Sequence, residues 1–264
     1  MFTCSDHTFV VCAYGESPYL RDCILSLMKQ EQPSRIIVST STPNKHIDRV
    51  ASSFSLPVII NNGKPGIGHD WNCAISHAQT PLVTIAHQDD LYSSNYTIKM
   101  LCSVNASRHP LIFFSNYGEI RNGKYADDIS ILKVKRLILR KLASIGYSSL
   151  TKDKRRVLRF GSAICCPSVT YVITNLETPL FSSDMKCDLD WEAWERFSRL
   201  EGSFVYSSEI LMHHRIHEGS ETTSLILDNT RSSEDLAMLE KFWPKRVAKA
   251  IHLLYSLSMN SNAL

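Results

Sequence analysis

Two adjacent aspartates end a short apolar run in the segment "VTIAHQDDLY", residues 83–92. Neighbouring carboxylates at the end of a buried strand repel each other, so a cation, solvent or hydrogen bonds must stabilise them. Carboxylate oxygens in this position suit Mg²⁺ or Mn²⁺ shared with a diphosphate, with Asp89 as the expected ligand. His87 is expected on the same strand face as Asp89, because side chains alternate along a strand. The alternative is that one aspartate only caps a helix.

A second pair of acids, Asp188 and Asp190, stands at the start of the helical segment "DLDWEAWERF". Acidic residues stabilise a helix N-terminus through capping and through the helix dipole, which accounts for one of the two. A carboxylate beside Trp191 in a pocket is also suited to act as a general base. The spacing leaves open which aspartate has that role.

Three histidines, His213, His214 and His217, lie farther along the chain in "HHRIHEGSET". Their spacing does not match a zinc site, and no Cys-x-x-Cys pair accompanies them. A single histidine, His217, is therefore the expected contact to a metal or a diphosphate. The eight cysteines are interpreted as buried free thiols of a reducing compartment.

The elements that must position these residues follow from the apolar pattern. The first 90 residues alternate between strand-like and helical segments, which predicts an α/β fold with a mostly parallel sheet flanked by helices. Ligands of such sheets bind at the carboxyl ends of the strands, where Tyr14, Thr40 and Asp89 would lie. Ser17 is expected to cap the first helix. The strands are expected at residues 8–14, 34–41, 56–62 and 81–90.

A glycine-rich turn, "GKPGIG" at residues 63–68, precedes the third helix. It is neither G-x-G-x-x-G nor a Walker loop, so a dinucleotide or ATP phosphate site is disfavoured. Two interpretations stay open. The glycines either permit a positive φ or bring the turn beside a ligand.

Beyond residue 95, helices are expected at 96–107 and 188–200, and strands at 111–120, 167–174 and from 202 onward. The last helices begin near Ser232, and Pro244 should kink or split them. The chain has 264 residues, 44% of them hydrophobic, which is enough for one large core. No segment approaches the roughly 20 apolar residues of a spanning helix, and the N-terminus lacks a leader pattern. A soluble, cytoplasmic protein is expected.

Residues 133–159 hold ten lysines and arginines and one acid, Asp153. This stretch is either a solvated helical face or a surface for an anionic membrane or the diphosphate of a lipid-linked acceptor. Nucleic acid is disfavoured, because no reader motif accompanies the charge. The C-terminal segment "KFWPKRVAKAIHLLYSLSM" suits a helix at the inner face of a membrane, or one packed on the core or in a homodimer.

Taken together, these segments resemble the family 2 glycosyltransferases, which have the A-type nucleotide-sugar-binding fold. The resemblance rests on the order of "VVCAYGESPYLRDCILSLMKQ", "IIVSTSTPN", "GIGHDWNCAISHAQTPLVTIAHQDDLYSSNY" and "DLDWEAWERFSRLEGSFVYSSEILMHHRIHEGSET". It covers residues 8–225. It implies an A-type domain over 1–225, with a donor-binding half at 1–95 and an acceptor-binding half at 96–225. A C-terminal helical extension would occupy 226–264.

The family implies transfer of a sugar from a nucleoside-diphosphate sugar to a hydroxyl of a glycan or lipid-linked glycan, in surface polysaccharide assembly. Asp89 and His217 would hold a divalent cation, Mn²⁺ or Mg²⁺, and Asp190 would deprotonate the acceptor. One base opposite the leaving group predicts a single displacement with inversion. The residues expected at the donor are Ala13, Tyr14, Glu16, Thr40, Gly66, Asn72, His87 and Gln88.

Four positions depart from the family pattern. Thr40 stands where an aspartate commonly reads the base, and Trp71 replaces a frequent arginine. His87 replaces the first aspartate of Asp-x-Asp, and Leu189 replaces the glutamate of Glu-Asp. These departures keep two alternatives open, a nucleotidyltransferase of similar fold and a non-catalytic nucleotide-sugar-binding protein.

Overall fold

A mixed, mostly parallel sheet with helices on both sides forms the centre of the molecule. The computed structural model describes residues 1–63, 66–182, 185–217 and 230–260. The strands are β1 (His7–Cys12), β2 (Arg35–Thr40), β3 (Val58–Ile60), β4 (Leu82–His87), β5 (Leu91–Tyr92), β6 (Pro110–Arg121), β7 (Lys124–Ala126), β8 (Tyr147–Ser148), β9 (Val169–Val172) and β10 (Ser203–Ile216). The helices are α1 (Leu20–Met28), α2 (Lys45–Ser53), α3 (Ile67–Ala78), α4 (Tyr96–Ala106), α5 (Ser130–Ile145), α6 (Thr151–Arg156), α7 (Leu189–Arg199), α8 (Thr230–Glu240) and α9 (Lys245–Asn260).

The sheet order is β3-β2-β1-β4-β9-β6-β10-β5, with β7 paired to β6 and β8 to β10. Strands β3, β2, β1 and β4 are parallel neighbours, β6 and β10 are parallel, and the short β9 runs antiparallel between β4 and β6. The α/β architecture predicted from the alternating pattern is confirmed. The carboxyl ends of β1, β2 and β4 meet at one edge, as predicted.

The apolar runs of the central strands fill both faces of the sheet. Along β1, Val10 belongs to one buried cluster, whereas Phe9 and Val11 belong to a second. Side chains alternate between faces, so the two clusters are the cores above and below the sheet. A strand covered on both faces must be apolar throughout, which is why the continuous run at residues 8–14 predicted a strand buried on both faces.

The C-terminal helices complete one of these cores. Met238 and Leu239 of α8 and Ala248 of α9 are buried in the same cluster as Trp191 and Trp194 of α7. The helical segment is interrupted between Glu240 and Lys245, so the split predicted at Pro244 is confirmed. The predicted start of a helical extension at residue 226 lies outside the described residues.

The helix α1 begins later than the sequence indicates. Ser17 does accept a hydrogen bond from the Tyr19 N–H at 3.2 Å, but α1 begins only at Leu20, and its N-cap position is Tyr19. None of the helices in the described part of the chain is both long and apolar enough to cross a bilayer.

Candidate active site

Three segments that are distant in sequence meet at the carboxyl edge of the sheet. They are the β1–α1 loop, the turn after β4 and the last residues of β10. Gln88 joins the first two, because its side-chain amide accepts from the Tyr14 N–H at 3.0 Å and donates to the Tyr14 carbonyl at 3.0 Å. This pairing imitates a strand contact and holds the β1–α1 loop against the turn that carries Asp89.

Asp89 lies at the centre of this convergence and is partly exposed. The Ser17 hydroxyl donates to its Oδ1 at 2.5 Å, and its Oδ2 is 3.2 Å from Nε2 of His217. The two residues expected to bind a cation are therefore neighbours in space. A carboxylate oxygen and an imidazole nitrogen face each other from β4 and β10.

The adjacent Asp90 is fully buried and has a different set of partners. Its Oδ1 accepts from His214 Nδ1 at 3.0 Å and from the Arg215 N–H at 2.9 Å. Burial alone would raise the pKa of Asp90, but the charge and hydrogen bond of His214 hold it below its usual value. Burial likewise opposes protonation of His214, yet Asp90 raises the pKa of that imidazole. The repulsion between the two aspartates is thus relieved by an imidazolium behind the second one.

Arg215 fixes the turn from a third direction. Its Nε donates to the Asp89 carbonyl at 2.9 Å, and its guanidinium lies 4.3 Å from the centre of the Tyr19 ring. The Tyr19 ring is in turn 5.1 Å from the His217 ring. No role for Arg215, Tyr19 or His214 was predicted from the sequence. The only available signal for Arg215 was its place in the Arg-x-His segment.

The acidic pair at the start of α7 divides into two distinct environments. Asp190 is partly exposed, and its Oδ1 accepts from the Trp191 N–H at 2.6 Å. Burial raises the pKa of Asp190 to about 6, although this hydrogen bond and the charges of Arg231 and Lys135 act in the opposite direction. Asp188 is buried, and burial together with the neighbouring Asp235 raises its pKa much further.

Burial raises the pKa of the Cys165 thiol well above its usual value, and the negative charges of Asp90 and Asp190 both add to that increase.

The sequence model of glycosyl transferase family 2 matches residues 8–166, more than half of the 264-residue chain. The chain belongs to this family. No curated protein matches it in sequence.

Solved structures share the fold of this family 2 member. TarS from S. aureus superposes with a TM-score of 0.63 at 13% identity, over 93% of this chain and 42% of that one. The mannosyltransferase PcManGT from Pyrobaculum calidifontis, in complex with GDP-Man and Mn²⁺, gives 0.59 at 14% identity, over 94% and 69%. Glucosyl-3-phosphoglycerate synthase from Mycobacterium tuberculosis, in complex with Mn²⁺ and UDP-glucose, gives 0.55 at 13% identity, over 89% of this chain and 79% of that one.

The chain spans less than half of the TarS chain in the first of these structures, and it spans 70% of the TarS 1–349 chain solved with UDP-GlcNAc. At these identities the similarity establishes the A-type fold, and the site must be argued from this chain's own residues.

Two of the four departures from the family pattern contact each other. The rings of Trp71 and His87 stack with centroids 5.4 Å apart and planes inclined by 19°. Burial lowers the pKa of His87, so its imidazole is neutral near pH 7. Its Nε2 is buried and has no hydrogen-bond partner among the described residues. The resemblance implies an arginine and an aspartate at these two positions, where this chain has an uncharged aromatic pair.

The residues expected at the donor of this family 2 chain fall into two groups. Tyr14 and Glu16 are exposed after β1, and Gly66 is exposed before α3. Ala13 is buried behind Tyr14. Part of the glycine-rich turn, residues 64–65, lies outside the described residues.

The second group already has partners within the protein. Thr40 is buried at the end of β2, and its Oγ1 accepts from the Thr42 N–H at 3.0 Å. The Asn72 side chain donates to the Phe181 carbonyl at 2.9 Å and accepts from the Phe181 N–H at 3.1 Å. Asn72 therefore joins α3 to the segment before α7.

The carboxylate of Asp89 and the imidazole of His217 fit a divalent cation that has only a few protein ligands. In the residues that the structure describes, no three His, Cys, Asp or Glu side chains form a metal cluster. One carboxylate and one imidazole leave most positions of an octahedral ion to phosphate oxygens and water. The mixed oxygen and nitrogen donors suit Mn²⁺ better than Mg²⁺.

Glu234 of α8, which no sequence motif indicated, lies next to the segment that precedes α7. Its carboxylate accepts from the backbone N–H groups of Lys186, Cys187 and Asp188 at 2.9, 2.8 and 3.0 Å. These three groups lead directly into α7. Helix α8 thus holds the segment that positions Asp190.

Proposed function

We propose that the chain is an inverting, divalent-cation-dependent glycosyltransferase that moves a sugar from a nucleoside-diphosphate sugar to an acceptor hydroxyl. The observation that carries this proposal is the pairing of Asp89 with His217 at 3.2 Å. Asp89 is further bonded to Ser17, and Arg215 holds its backbone carbonyl. Such an arrangement provides two ligands and a positively charged rim for a diphosphate.

A cation held by Asp89 and His217 would act as a Lewis acid toward the diphosphate as negative charge develops on the leaving group. The protein itself prepares the site in two ways. Ser17 and Arg215 hold Asp89 through its side chain and its backbone carbonyl, respectively. Asp90 and His214 form a buried ion pair beneath it, which makes the turn rigid.

The acceptor side of the reaction is assigned to Asp190. The acceptor oxygen forms a bond to the anomeric carbon, the bond from that carbon to the diphosphate oxygen breaks, and the acceptor proton passes to the Asp190 carboxylate. A pKa of about 6 leaves this carboxylate ionised near pH 7 and still basic. Asp188 is the poorer candidate, because burial and Asp235 keep it protonated. Attack opposite the leaving group inverts the anomeric carbon.

The donor and acceptor classes are proposed from similarity and from charge. Solved structures of similar fold contain UDP-GlcNAc, GDP-Man or UDP-glucose. We infer a donor of this class, and a glycan or lipid-linked glycan acceptor in surface polysaccharide assembly. The nucleotide base is left to experiment, because Thr40 replaces the aspartate expected to read it.

A thermal-shift assay tests the proposal most directly. UDP, GDP and their sugar conjugates are added with Mn²⁺, with Mg²⁺ or with a chelator, and the unfolding midpoint is measured. A ligand that binds the native state raises the midpoint by mass action. We expect a cation-dependent shift that Asp89→Asn abolishes and that Asp22→Asn, a change of an exposed carboxylate on α1, leaves intact. No shift with any diphosphate would refute the proposal.

A non-catalytic nucleotide-sugar-binding protein is the alternative favoured by the departures at His87 and Leu189. Both functions predict donor binding, so turnover must separate them. Release of nucleoside diphosphate from a sugar conjugate with a glycan acceptor, lost in Asp190→Asn while donor binding persists, supports the transferase. Donor binding without release of nucleoside diphosphate, with every acceptor tested, would support the non-catalytic binding protein.

A further inference from the structure

Exposed apolar side chains are concentrated on α5 and the loop that follows it. Val134, Leu137 and Ile145 of α5 are 52%, 66% and 48% exposed, and Leu150 is 53% exposed. The inner face of α5 buries Leu132, Leu139 and Leu142 in the core. A helix of this kind normally presents polar residues to solvent, so an apolar outer face indicates a second contact surface.

The same outer face is strongly basic. Lys133, Arg140 and Lys141 are exposed on α5. Lys133 lies 3.1 Å from Asp128, and Lys141 pairs with Asp153, so these two charges are partly compensated. In the part of the chain that the structure describes, no ion pair involves Arg140. The cations flank the apolar residues, because side chains three and four positions apart share a helix face.

A shallow cavity of about 380 Å³ opens beside this face. Lys133, Arg136 and Arg140 line it together with Leu137 and Tyr206. Three basic side chains around an apolar floor can receive a phosphate group whose attached chain continues along the apolar residues. Arginine and lysine are the side chains that bind phosphate most strongly.

We propose that the outer face of α5, formed by Val134, Leu137, Ile145, Lys133 and Arg140, docks on the surface of an anionic phospholipid bilayer. Helices that lie in a membrane interface combine apolar side chains with lysine and arginine. Each basic residue close to an anionic surface adds to the attraction.

A second copy of the chain fits this face less well than a bilayer does. A two-fold interface brings the same patch onto itself, so that Arg140 and its neighbours would meet the identical cations of the partner. Like charges in contact are destabilising. An anionic surface instead complements the whole patch.

Lys135, on the inner side of α5, donates to the Tyr117 hydroxyl at 2.7 Å, so this side of the helix is bound to β6 and the docking face lies on the other side. The inference stands apart from the proposed function, since binding to lipid requires neither donor nor acceptor.

Vesicle flotation tests this inference on the whole chain. Vesicles of phosphatidylcholine alone are compared with vesicles that also contain phosphatidylglycerol, at low and at high salt. We expect binding to the anionic vesicles only, weakened by salt. Arg140→Gln should reduce the partition coefficient about fivefold. Leu137→Gln should reduce it about tenfold through lost apolar contact.

Met28→Gln is the matched control, because Met28 is an exposed apolar residue, 48% exposed, next to Lys29 on α1. It should not change binding. Circular dichroism of all three variants checks that they fold. Absent binding, equal binding to neutral vesicles, or equal loss in the control would overturn the proposal. So would a concentration-dependent dimer, measured by light scattering, that Leu137→Gln dissociates.

Discussion

Replacing Asp190 by asparagine should remove turnover and at the same time stabilise the fold above pH 6. Burial raises the pKa of this carboxyl to about 6, so the folded protein must ionise Asp190 in an environment that disfavours the charge. A raised pKa contributes stability at low pH, where the group is protonated in both states. That contribution is lost as the pH rises from about 4 through about 6. Asparagine carries no charge and avoids this loss.

The expected gain follows from the size of the pKa increase. A rise of about two units corresponds to about 3 kcal/mol between the two protonation states. Asp190 is partly exposed, and solvent screening reduces the effect to about 1–2 kcal/mol. For a chain of this length, that equals an increase of about 3–6 °C in the unfolding midpoint. Loss of a general base lowers the rate by about 10²–10⁴.

Urea unfolding of the wild type and of Asp190→Asn at pH 4.5 and pH 8 measures the difference. Asp22→Asn is the control, since Asp22 also lies in the first turn of a helix but is exposed. It should lose the small helix-dipole contribution and gain nothing at pH 8. If Asp190→Asn is no more stable than the wild type at pH 8, ionisation of Asp190 does not destabilise the fold. If turnover persists, Asp190 is not the base.

Three further sets of substitutions test the contacts around the site. Trp71→Arg and His87→Asp should each destabilise the fold. In a double-mutant cycle measured by urea unfolding, the double variant should lose about 1–2 kcal/mol less than the sum of the two single losses. Additive losses would refute the pairing. His214→Ala leaves the Asp90 carboxylate buried without its cation and should cost about 3–5 kcal/mol at pH 7; a loss below 1 kcal/mol would contradict the ion pair. Glu234→Gln turns an amide N–H₂ toward backbone donors and should cost about 1–3 kcal/mol, with a lower kcat; unchanged kcat would argue against a positioning role.

Two residues offer matched controls for these variants. His213 contacts Asp127 at 2.9 Å, but the Asp127 side chain is 45% exposed, so His213→Ala should cost less than about 1 kcal/mol. Glu240 is an exposed carboxylate on the same helix as Glu234, and Glu240→Gln should leave stability and kcat unchanged. A loss in a control equal to that in its test variant would show that the effect is not specific to the site.

The architecture could be predicted because each strand carries its own signal. Thr8 to Cys12 and Leu82 to Ala86 are continuous apolar runs, and such runs are required of strands covered on both faces. Helix α2, Lys45–Ser53, also has a local signal. Its start is marked by Asn44, whose side chain accepts from two backbone N–H groups. These features depend on neighbours in sequence.

The partners of the site could not be predicted in the same way. Ser17 looked like a helix cap, and nothing near it in sequence indicates that it binds Asp89. Glu234 belongs to an amphipathic helix whose pattern shows which face is buried, but not which loop it meets. Such contacts join residues far apart in the chain, and local periodicity contains no information about them.

Asp89 and Asp90 have opposite roles although both lie in the turn after β4, which ends at His87. The turn places Asp90 in the core, where His214 neutralises it, and leaves Asp89 at the edge with Ser17 and His217. The neutral His87 then gives this edge one negative charge fewer than an Asp-x-Asp motif would. A cation at Asp89 should therefore depend strongly on the charge that the diphosphate of the donor brings, which makes donor and cation binding mutually reinforcing.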